Sequence, residues 1–550
     1  MLLEAVAVGA VGSLLGIGLG RLLARGLVGM VAQTISDHYF SVSVSEPATD
    51  PTSLGVGLAL GLGTAAVAGL RPAWEASAAS PRRALVRSEL ESWTRRRTSL
   101  AALAGAGAIL AGAIALWAFR SALWPSFVAV LAVLVGAALL TPAAVRALGL
   151  LLAAPLGRLV GPFGRMAARG LVAQLSRTGV AIAALTLALA VTIGIGLMIT
   201  SFRTTVERWL GASLPADLYL ISPERQGGAT PADLVRDEWL DAIARLPEIE
   251  RVNRLRRATV DSSVGPLELV ALDMDERSHG AFALASGDEA SAWEAYEAGR
   301  GALISEPLAS RTGLAVGSVV ELTTPRGRER LPVEGVFYDY SSDRGYLLIE
   351  LELYRSLWGD LGLTAASAFV RDAASLDTMG LEATADRVRA ALPPTAALVV
   401  TTQRTLRERS LEVFDRTFRV TAVLRALTLI VAIIGILSAL MAQQLERTRE
   451  LGLLRASGVT RRQVWLMVTA QTGLVGLVAG VLALPVGIAM AAMTTLVINQ
   501  RSFGWTIPLE VEPAILGQAV LAAVLAALAA GILPSLRMAS TSPAEALRSE

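Results

Sequence analysis

Arg447, Arg449, Glu450 and Arg455 crowd the stretch Leu445–Gly458, with Gly452 among them and Gly458 closing it. Guanidinium and carboxylate groups at this density can make charge-assisted hydrogen bonds to another protein's surface. Gly458 suits the left-handed conformation that stops a helix. Thr460, with Gln463 three residues on, reads as a capping box that starts the next helix. Apolar runs flank the stretch on both sides. The spacing therefore predicts a rigid, charged helix held between two membrane spans, a part on which a soluble motor can push.

The chain has 550 residues, 53% of them hydrophobic, and a mean hydropathy of +0.55. A soluble protein of this length does not need such an apolar excess. All 49 basic residues are Arg. A P-loop needs a Lys to reach the nucleotide phosphates, so the chain holds no standard Walker A motif. Any ATP hydrolysis is expected in a partner, and no cofactor in this chain. With no Cys, thiolate metal sites, thiol nucleophiles and disulfides are excluded. The two His, His38 and His279, lie far apart and read as surface residues, so neither a metal site nor a catalytic site is expected. The net charge of +2 gives no reason to expect nucleic acid, because the Arg residues sort by membrane side.

Roughly 20 apolar residues cross a bilayer as a helix. Such windows fall at 4–24, 54–70, 99–118, 124–145, 179–201, 421–442, 464–492 and 513–533. The connection after the second window holds Arg71, Arg82, Arg83, Arg87, Arg95, Arg96 and Arg97. After the fourth come Arg146, Arg158, Arg165, Arg169 and Arg177, and after the sixth the charged segment above. The opposite short loops hold far fewer, Arg120 in one and Arg501 in another, with Arg21 and Arg25 at a helix end. By the positive-inside rule both termini are cytoplasmic and residues 202–420 lie outside. The Arg95–Arg97 run reads as an orientation signal.

Composition changes abruptly over 202–420. Strand-like runs at Asp217–Ser222, Leu267–Leu272, Ser318–Thr323 and Arg330–Phe337 alternate with helix-like stretches at 231–246 and 373–391. The fold class expected is thus a polytopic α-helical membrane protein of about eight spans with one inserted α+β extracytoplasmic domain. Within that domain, Tyr338–Gly345 is polar and turn-like and reads as a solvated hairpin loop in preference to a ligand-contacting one. On the other side, Arg165, Arg169 and Ser176 share one helical face while Met166, Leu171 and Leu175 lie elsewhere. That pattern suggests an interfacial helix along the inner leaflet before the fifth span.

The pattern Arg447-x-x-Glu450-x-Gly452-x-x-Arg455-Ala456-x-Gly458 resembles the coupling segment of FtsX-like, MacB-type ABC transporter permeases, with Leu451 where Ile is more usual. The run Ile304–Gly317 followed by a strand resembles the periplasmic domain of the same family. An internal repeat fits this resemblance. Pro72–Leu85 aligns without a gap on Pro534–Leu547, sharing the Pro, Ser-Pro and Ala-Leu positions, and Gly9 and Gly20 correspond to Gly476 and Gly487.

The resemblance implies the following organisation. Residues 1–98 form the C-terminal part of a first FtsX-like unit, and 99–150 a bridging helix pair. Residues 151–201 hold the amphipathic helix and first span of a second unit, 202–420 the external MacB-like domain, and 421–550 three further spans with the coupling helix. Two-unit members usually have ten spans. The sequence allows a misplaced start, a separate second permease chain or fragment carrying the first half, or a remnant.

By the same resemblance the chain is the permease subunit of an ABC transporter in a bacterial inner membrane. A cytoplasmic ATPase dimer binds the ATP and displaces the coupling segment, with Arg447, Arg449, Glu450, Gly452, Arg455 and Gly458 at the contact. The external domain then moves to export or extract a hydrophobic or amphipathic substrate, such as a lipid, lipoprotein or peptide. The alternative is a non-transporting transmembrane signalling adaptor that regulates an envelope protein, a periplasmic or secreted partner, through that domain.

Overall fold

The computed structural model describes residues 2–36, 50–78, 88–120, 122–159, 161–173, 175–222, 235–274, 276–394, 396 and 398–540. Helices α1 (Leu2–Ser36), α2 (Pro51–Ala78), α3 (Ser88–Ala118), α4 (Trp124–Leu159), α5 (Pro162–Ala173) and α6 (Leu175–Ser213) precede a β-rich domain. After it come α12 (Gln403–Ala456), α13 (Arg461–Ala492), α14 (Gln500–Phe503) and α15 (Pro513–Ser540), with a π-helical stretch, Met493–Asn499, between α13 and α14. Among the described residues eight helices are long and apolar enough to cross a bilayer, one for each expected window.

Among the described residues between α6 and α12 lie ten strands: β1 (Leu218–Ile221), β2 (Ile249–Ser262), β3 (Gly265–Leu272), β4 (Leu284–Ser286), β5 (Ala302–Ser305), β6 (Val319–Thr324), β7 (Gly327–Phe337), β8 (Tyr346–Glu350), β9 (Ala365–Val370) and β10 (Val399–Thr402). They form one mixed sheet in the order β10-β1-β9-β2-β3-β8-β5-β7-β4, with β6 beside β2 and β7. The β3–β8 and β5–β7 pairs are parallel. Helices α7 (Asp237–Ala244), α8 (Glu289–Glu297), α9 (Glu306–Thr312), α10 (Leu351–Trp358) and α11 (Thr378–Ala391) cover it. Alternation explains the packing. On β9, Ala366, Ala368 and Val370 point inward, and on β1 Leu218 and Leu220 join them in one core with Ile243 and Val388 from the helices. Caps fix the helix starts: Glu350 accepts from the Leu353 N–H at 2.8 Å and Asp377 from the Gly380 N–H at 2.8 Å.

A second core lies among the apolar helices, where Leu185, Leu189 and Ile193 of α6 meet Leu474, Val478 and Ala483 of α13 and Ala523 of α15. Leu175 and Ser176, expected on the same helix, begin α6, and their side chains lie outside the described set, while on helix α5 Ala168 and Leu171 are buried toward this core and Arg165 and Arg169 are exposed. Met166 is exposed as well.

The α1–α2 and α13–α15 pairs pack alike at positions related by the repeat. One shift in numbering carries Ala5, Gly9 and Ser13 to Thr472, Gly476 and Gly480. A second, which carries Pro72 to Pro534, takes Gly61, Ala65 and Gly69 to Ala523, Ala527 and Gly531. A methyl group built on Gly9 would lie 2.5 Å from Ala65 Cβ, and one on Gly476 2.8 Å from Ala527 Cβ. Built on Gly69 it would meet Ala5 Cβ at 2.8 Å; built on Gly531, Thr472 Cγ2 at 2.6 Å. The third pair trades sizes: Ser13 sits over Gly61, whereas Gly480 makes room for Ala523. Small residues that let two backbones approach are the usual basis of helix association in lipid. Most of the Pro72–Leu85 and Pro534–Leu547 segments lies outside the residues whose side chains are described.

Candidate functional site: a path from the coupling segment to the sheet domain

The expected coupling residues Arg447, Arg449, Glu450, Gly452 and Arg455 occupy the last turns of α12, whose backbone is helical without interruption through Ala456. Their side chains are outside the described set. The helix stops as its sequence predicts, for Gly458 has φ +100°. Thr460 then caps α13 reciprocally: the Gln463 N–H donates to Thr460 Oγ1 at 3.3 Å, and the Thr460 N–H donates to Gln463 Oε1 at 2.9 Å. The expected coupling segment is thus the end of a helix that begins at the sheet domain, since Gln403 follows β10 directly. Its 54 residues give a rod of about 80 Å.

Beyond the apolar windows α12 is fastened to α6. Phe202 meets Phe414 edge-on at 5.1 Å and Phe418 at 6.1 Å. Arg203 Nε donates to Asp415 Oδ1 at 2.9 Å, and Arg407 Nη2 donates to Glu207 Oε1 at 3.3 Å. These ion pairs are half-exposed, and each contributes little by itself. The aromatic cluster supplies the apolar area that holds the two helices together.

The connection between α13 and α15 fastens to the sheet domain from the other side. Glu306, the first residue of α9, accepts from the Thr506 N–H at 3.0 Å and also from the Thr506 hydroxyl. Tyr340 Oη donates to the Thr506 carbonyl at 2.7 Å. Trp505 packs on Phe202 and Tyr340, and Tyr340 meets Trp209 of α6 edge-on at 5.9 Å. The Tyr338–Gly345 loop is thus solvated only in part: Ser341, Asp343 and Arg344 are exposed, as its polarity suggests, while Asp339 and Gly345 are buried. Asp339 is 1% exposed and accepts from the Ser341 hydroxyl at 2.8 Å, a turn that aims Tyr340 away from the domain. Burial pushes the Asp339 carboxyl up to about 6, opposed by the Ser341 hydrogen bonds and by Arg257.

Arg501 makes a further tie that the sequence reading passed over. Its Nη1 donates to the Ala122 carbonyl at 3.1 Å and to Ser126 Oγ at 2.8 Å, and its Nη2 to the Leu116 carbonyl at 3.0 Å. The guanidinium satisfies a carbonyl in the last turn of α3 and joins the α3–α4 connection to α14. Arg425 lies with Nη1 3.1 Å from where a methyl on Gly196 of α6 would stand. This puts its side chain between α12 and α6.

His279 also departs from expectation. Its side chain is 11% exposed, its ring stacks on Trp293 at 4.1 Å, and its Nε2 lies 3.2 Å from a Glu297 oxygen. The apolar face of the imidazole fills space beside Phe282 and Trp293, which is why a polar residue tolerates burial there. His38 is outside the described residues. Among the described residues no group of three or more His, Asp or Glu could hold a metal ion.

Comparison with known proteins accords with this architecture. Residues 422–543 match the family model of the FtsX-like permease C-terminal domain, and 178–391 that of the MacB-like periplasmic core domain. An uncharacterized ABC transporter permease protein of Mycobacterium tuberculosis is 36% identical over 555 residues, a match that takes in all of this chain. The chain spans 64% of that relative's length. Among solved structures, the periplasmic region of MacB from Actinobacillus actinomycetemcomitans covers 36% of this chain and 92% of its own, at 11% identity and a TM-score of 0.27. The extracellular domain of the noncanonic ABC-type transporter YknZ from Gram-positive bacteria covers 34% and 98%, at 10% identity and a TM-score of 0.24. On the matches of its own sequence, the chain carries an FtsX-like permease C-terminal domain and a MacB-like periplasmic core domain, and along its whole length it is similar to an ABC transporter permease protein.

Proposed function

We propose that this chain carries force from a separate cytoplasmic ATPase dimer to its external domain, and so exports or extracts a hydrophobic or amphipathic substrate such as a lipid, lipoprotein or peptide. The ATP is bound by the partner, which docks on Arg447, Arg449, Glu450, Gly452, Arg455 and Gly458, with both termini on the same side. The observation that carries this reading is the continuity of α12, which runs from β10 to Ala456 without a break. A helix is stiff over this length, so displacement at one end is transmitted to the other. The ties of Thr506 to Glu306 and Tyr340 give α13 a second connection to the same domain.

The test is purification of the tagged chain from its native membrane in mild detergent, with mass spectrometry of what accompanies it. A Walker-motif ATPase should co-purify and should be lost from Glu450→Ala and Arg455→Ala. Removing one buried charge-assisted contact at such an interface costs roughly 2–5 kcal/mol of association. The same sample reports any second permease chain or fragment and any periplasmic or secreted partner. Retention of the ATPase by both variants refutes the assigned docking residues. An ATPase that co-purifies and hydrolyses ATP while no amphiphile moves in reconstituted vesicles would favour a signalling adaptor.

A further inference from the structure

At the end of the helices nearest the sheet domain, α3, the π-helical stretch and α9 border a cavity of about 700 Å³. Its walls differ in chemistry. Trp117 of α3 and Leu496 and Val497 of the π-helical stretch supply apolar surface, and Arg120, Arg501 and Ser310 line the same cavity with polar groups. Trp117 is 70% and Leu496 47% exposed, so two large apolar side chains lie open beside two guanidinium groups.

The charges there are uncompensated. Arg501 donates only to neutral oxygens, those of Leu116, Ala122 and Ser126. Arg120 lies 5.7 Å from the centre of the Trp117 ring. Among the described residues neither has a carboxylate within ion-pair distance. Arg120 is exposed and its guanidinium stands over the Trp117 ring, so an anion arriving there meets two guanidinium groups with no carboxylate competing for them among the described residues. The backbone gives an independent sign. A π-helical stretch in an α-helix sacrifices regular hydrogen bonding and recurs at functional sites, and here it carries Leu496 and Val497 to the cavity wall. The volume falls within the usual range of small-molecule sites.

We infer that this cavity binds a phosphate-bearing amphiphile from the leaflet nearest the sheet domain, its anionic head at Arg120 and Arg501 and its chain along Trp117 and Leu496. A free inorganic anion would leave the apolar wall unused, and a zwitterionic lipid would leave the charge unanswered. The assignment of this ligand as cargo rests on the transport reading above; its binding does not.

The experiment uses the purified full chain without any ATPase. Native mass spectrometry follows titration with dioleoyl phosphatidylglycerol, with phosphatidylcholine of the same chains, and with inorganic phosphate. Phosphatidylglycerol should saturate one site at least tenfold more tightly than phosphatidylcholine, with inorganic phosphate not bound. Arg120→Gln should weaken it about tenfold. Leu496→Trp, which fills the cavity from the apolar side and keeps both arginines, should weaken it similarly, and it decides the matter if Arg120→Gln does not fold. Equal binding of the two lipids, binding of inorganic phosphate as tight as that of the lipid, or indifference of the folded variants overturns the assignment. Loss of ATPase co-purification would leave it standing.

Discussion

Tyr340 of the sheet domain donates its hydroxyl to the main-chain carbonyl of Thr506, 166 positions along the chain and 2.7 Å away. With Glu306 accepting from the Thr506 N–H, one residue of the α13–α15 connection is held at both of its backbone polar groups by the domain. Such bonds fix a loop that would otherwise be free to swing. Tyr340→Phe removes one of them and should cost about 1 kcal/mol or less, whereas Glu306→Ala removes a charged acceptor from two exposed donors, which water can then satisfy, and should cost about 1–2 kcal/mol. Hydrogen–deuterium exchange of the 504–512 segment measures both. Exchange should quicken severalfold in Tyr340→Phe and more in Glu306→Ala, and unchanged exchange would show that the aromatic packing alone secures the contact.

Beneath Tyr340 sits the buried Asp339, whose carboxyl burial raises to about 6. The sign follows from the direction. The folded protein holds the proton more tightly than the unfolded chain, so the associated stability is complete below about pH 4 and is lost as pH rises through 6. From the size of the shift this amounts to about 1–3 kcal/mol. The groups that bear on it are Arg257, which favours ionisation, and Glu268, which opposes it. Thermal unfolding should therefore show the sheet domain more stable at pH 5 than at pH 7. Asp339→Asn should flatten that dependence and raise the melting temperature at pH 7; an Asn variant with the parent's pH profile would exclude Asp339 as its source.

What could be read in the sequence was local. Window length gave the spans, alternation gave strands such as β9, and the Gly458, Thr460 and Gln463 side chains carry the whole instruction for ending one helix and starting the next. The ties above depend on residues distant in sequence. Arg501 and the Leu116 carbonyl are 385 positions apart, and neither has a neighbour that advertises the other. Tyr338–Gly345 misled in part, for a related reason. Its polar side chains suggest water, but Asp339 spends its oxygens on Ser341 and Tyr340 spends its hydroxyl on Thr506. His279 likewise reads as a polar residue until Trp293 is brought to its face by the fold.

The repeat was legible as sequence and is expressed as packing, so its two halves should respond alike to the same chemistry. The chain has no Cys, which makes paired substitutions clean. Ala5→Cys with Gly69→Cys, and separately Thr472→Cys with Gly531→Cys, place thiols at equivalent crossings. Both pairs should oxidise to an intrachain disulfide with a small adjustment of the helices, read as fragments that stay joined after cleavage at a protease site inserted between them. Joining in the second pair alone would mean that the α1–α2 contact differs in the membrane. At the third crossing, Gly480→Ser would copy Ser13 onto a helix whose opposing residue is Ala523 rather than Gly61, and should weaken the α13–α15 pair.

The turn between α12 and α13 carries the last expectation. Gly458 at φ +100° adopts a conformation that costs other residues roughly 1–2 kcal/mol, and Thr460 satisfies an N–H of the first turn of α13 at about 1 kcal/mol. Neither residue needs to touch a motor to matter, since together they set the angle at which α12 meets α13. Gly458→Ala and Thr460→Ala should each lower ATPase association by shifting that angle, while Thr460→Ser, which keeps the cap oxygen, should not. Pull-down of the ATPase at several concentrations distinguishes the outcomes. Equal loss in Thr460→Ser and Thr460→Ala would assign the effect to the threonine methyl group and exclude the cap. Full retention in Gly458→Ala would mean that the motor reads the charged turns of α12 without regard to where the helix ends.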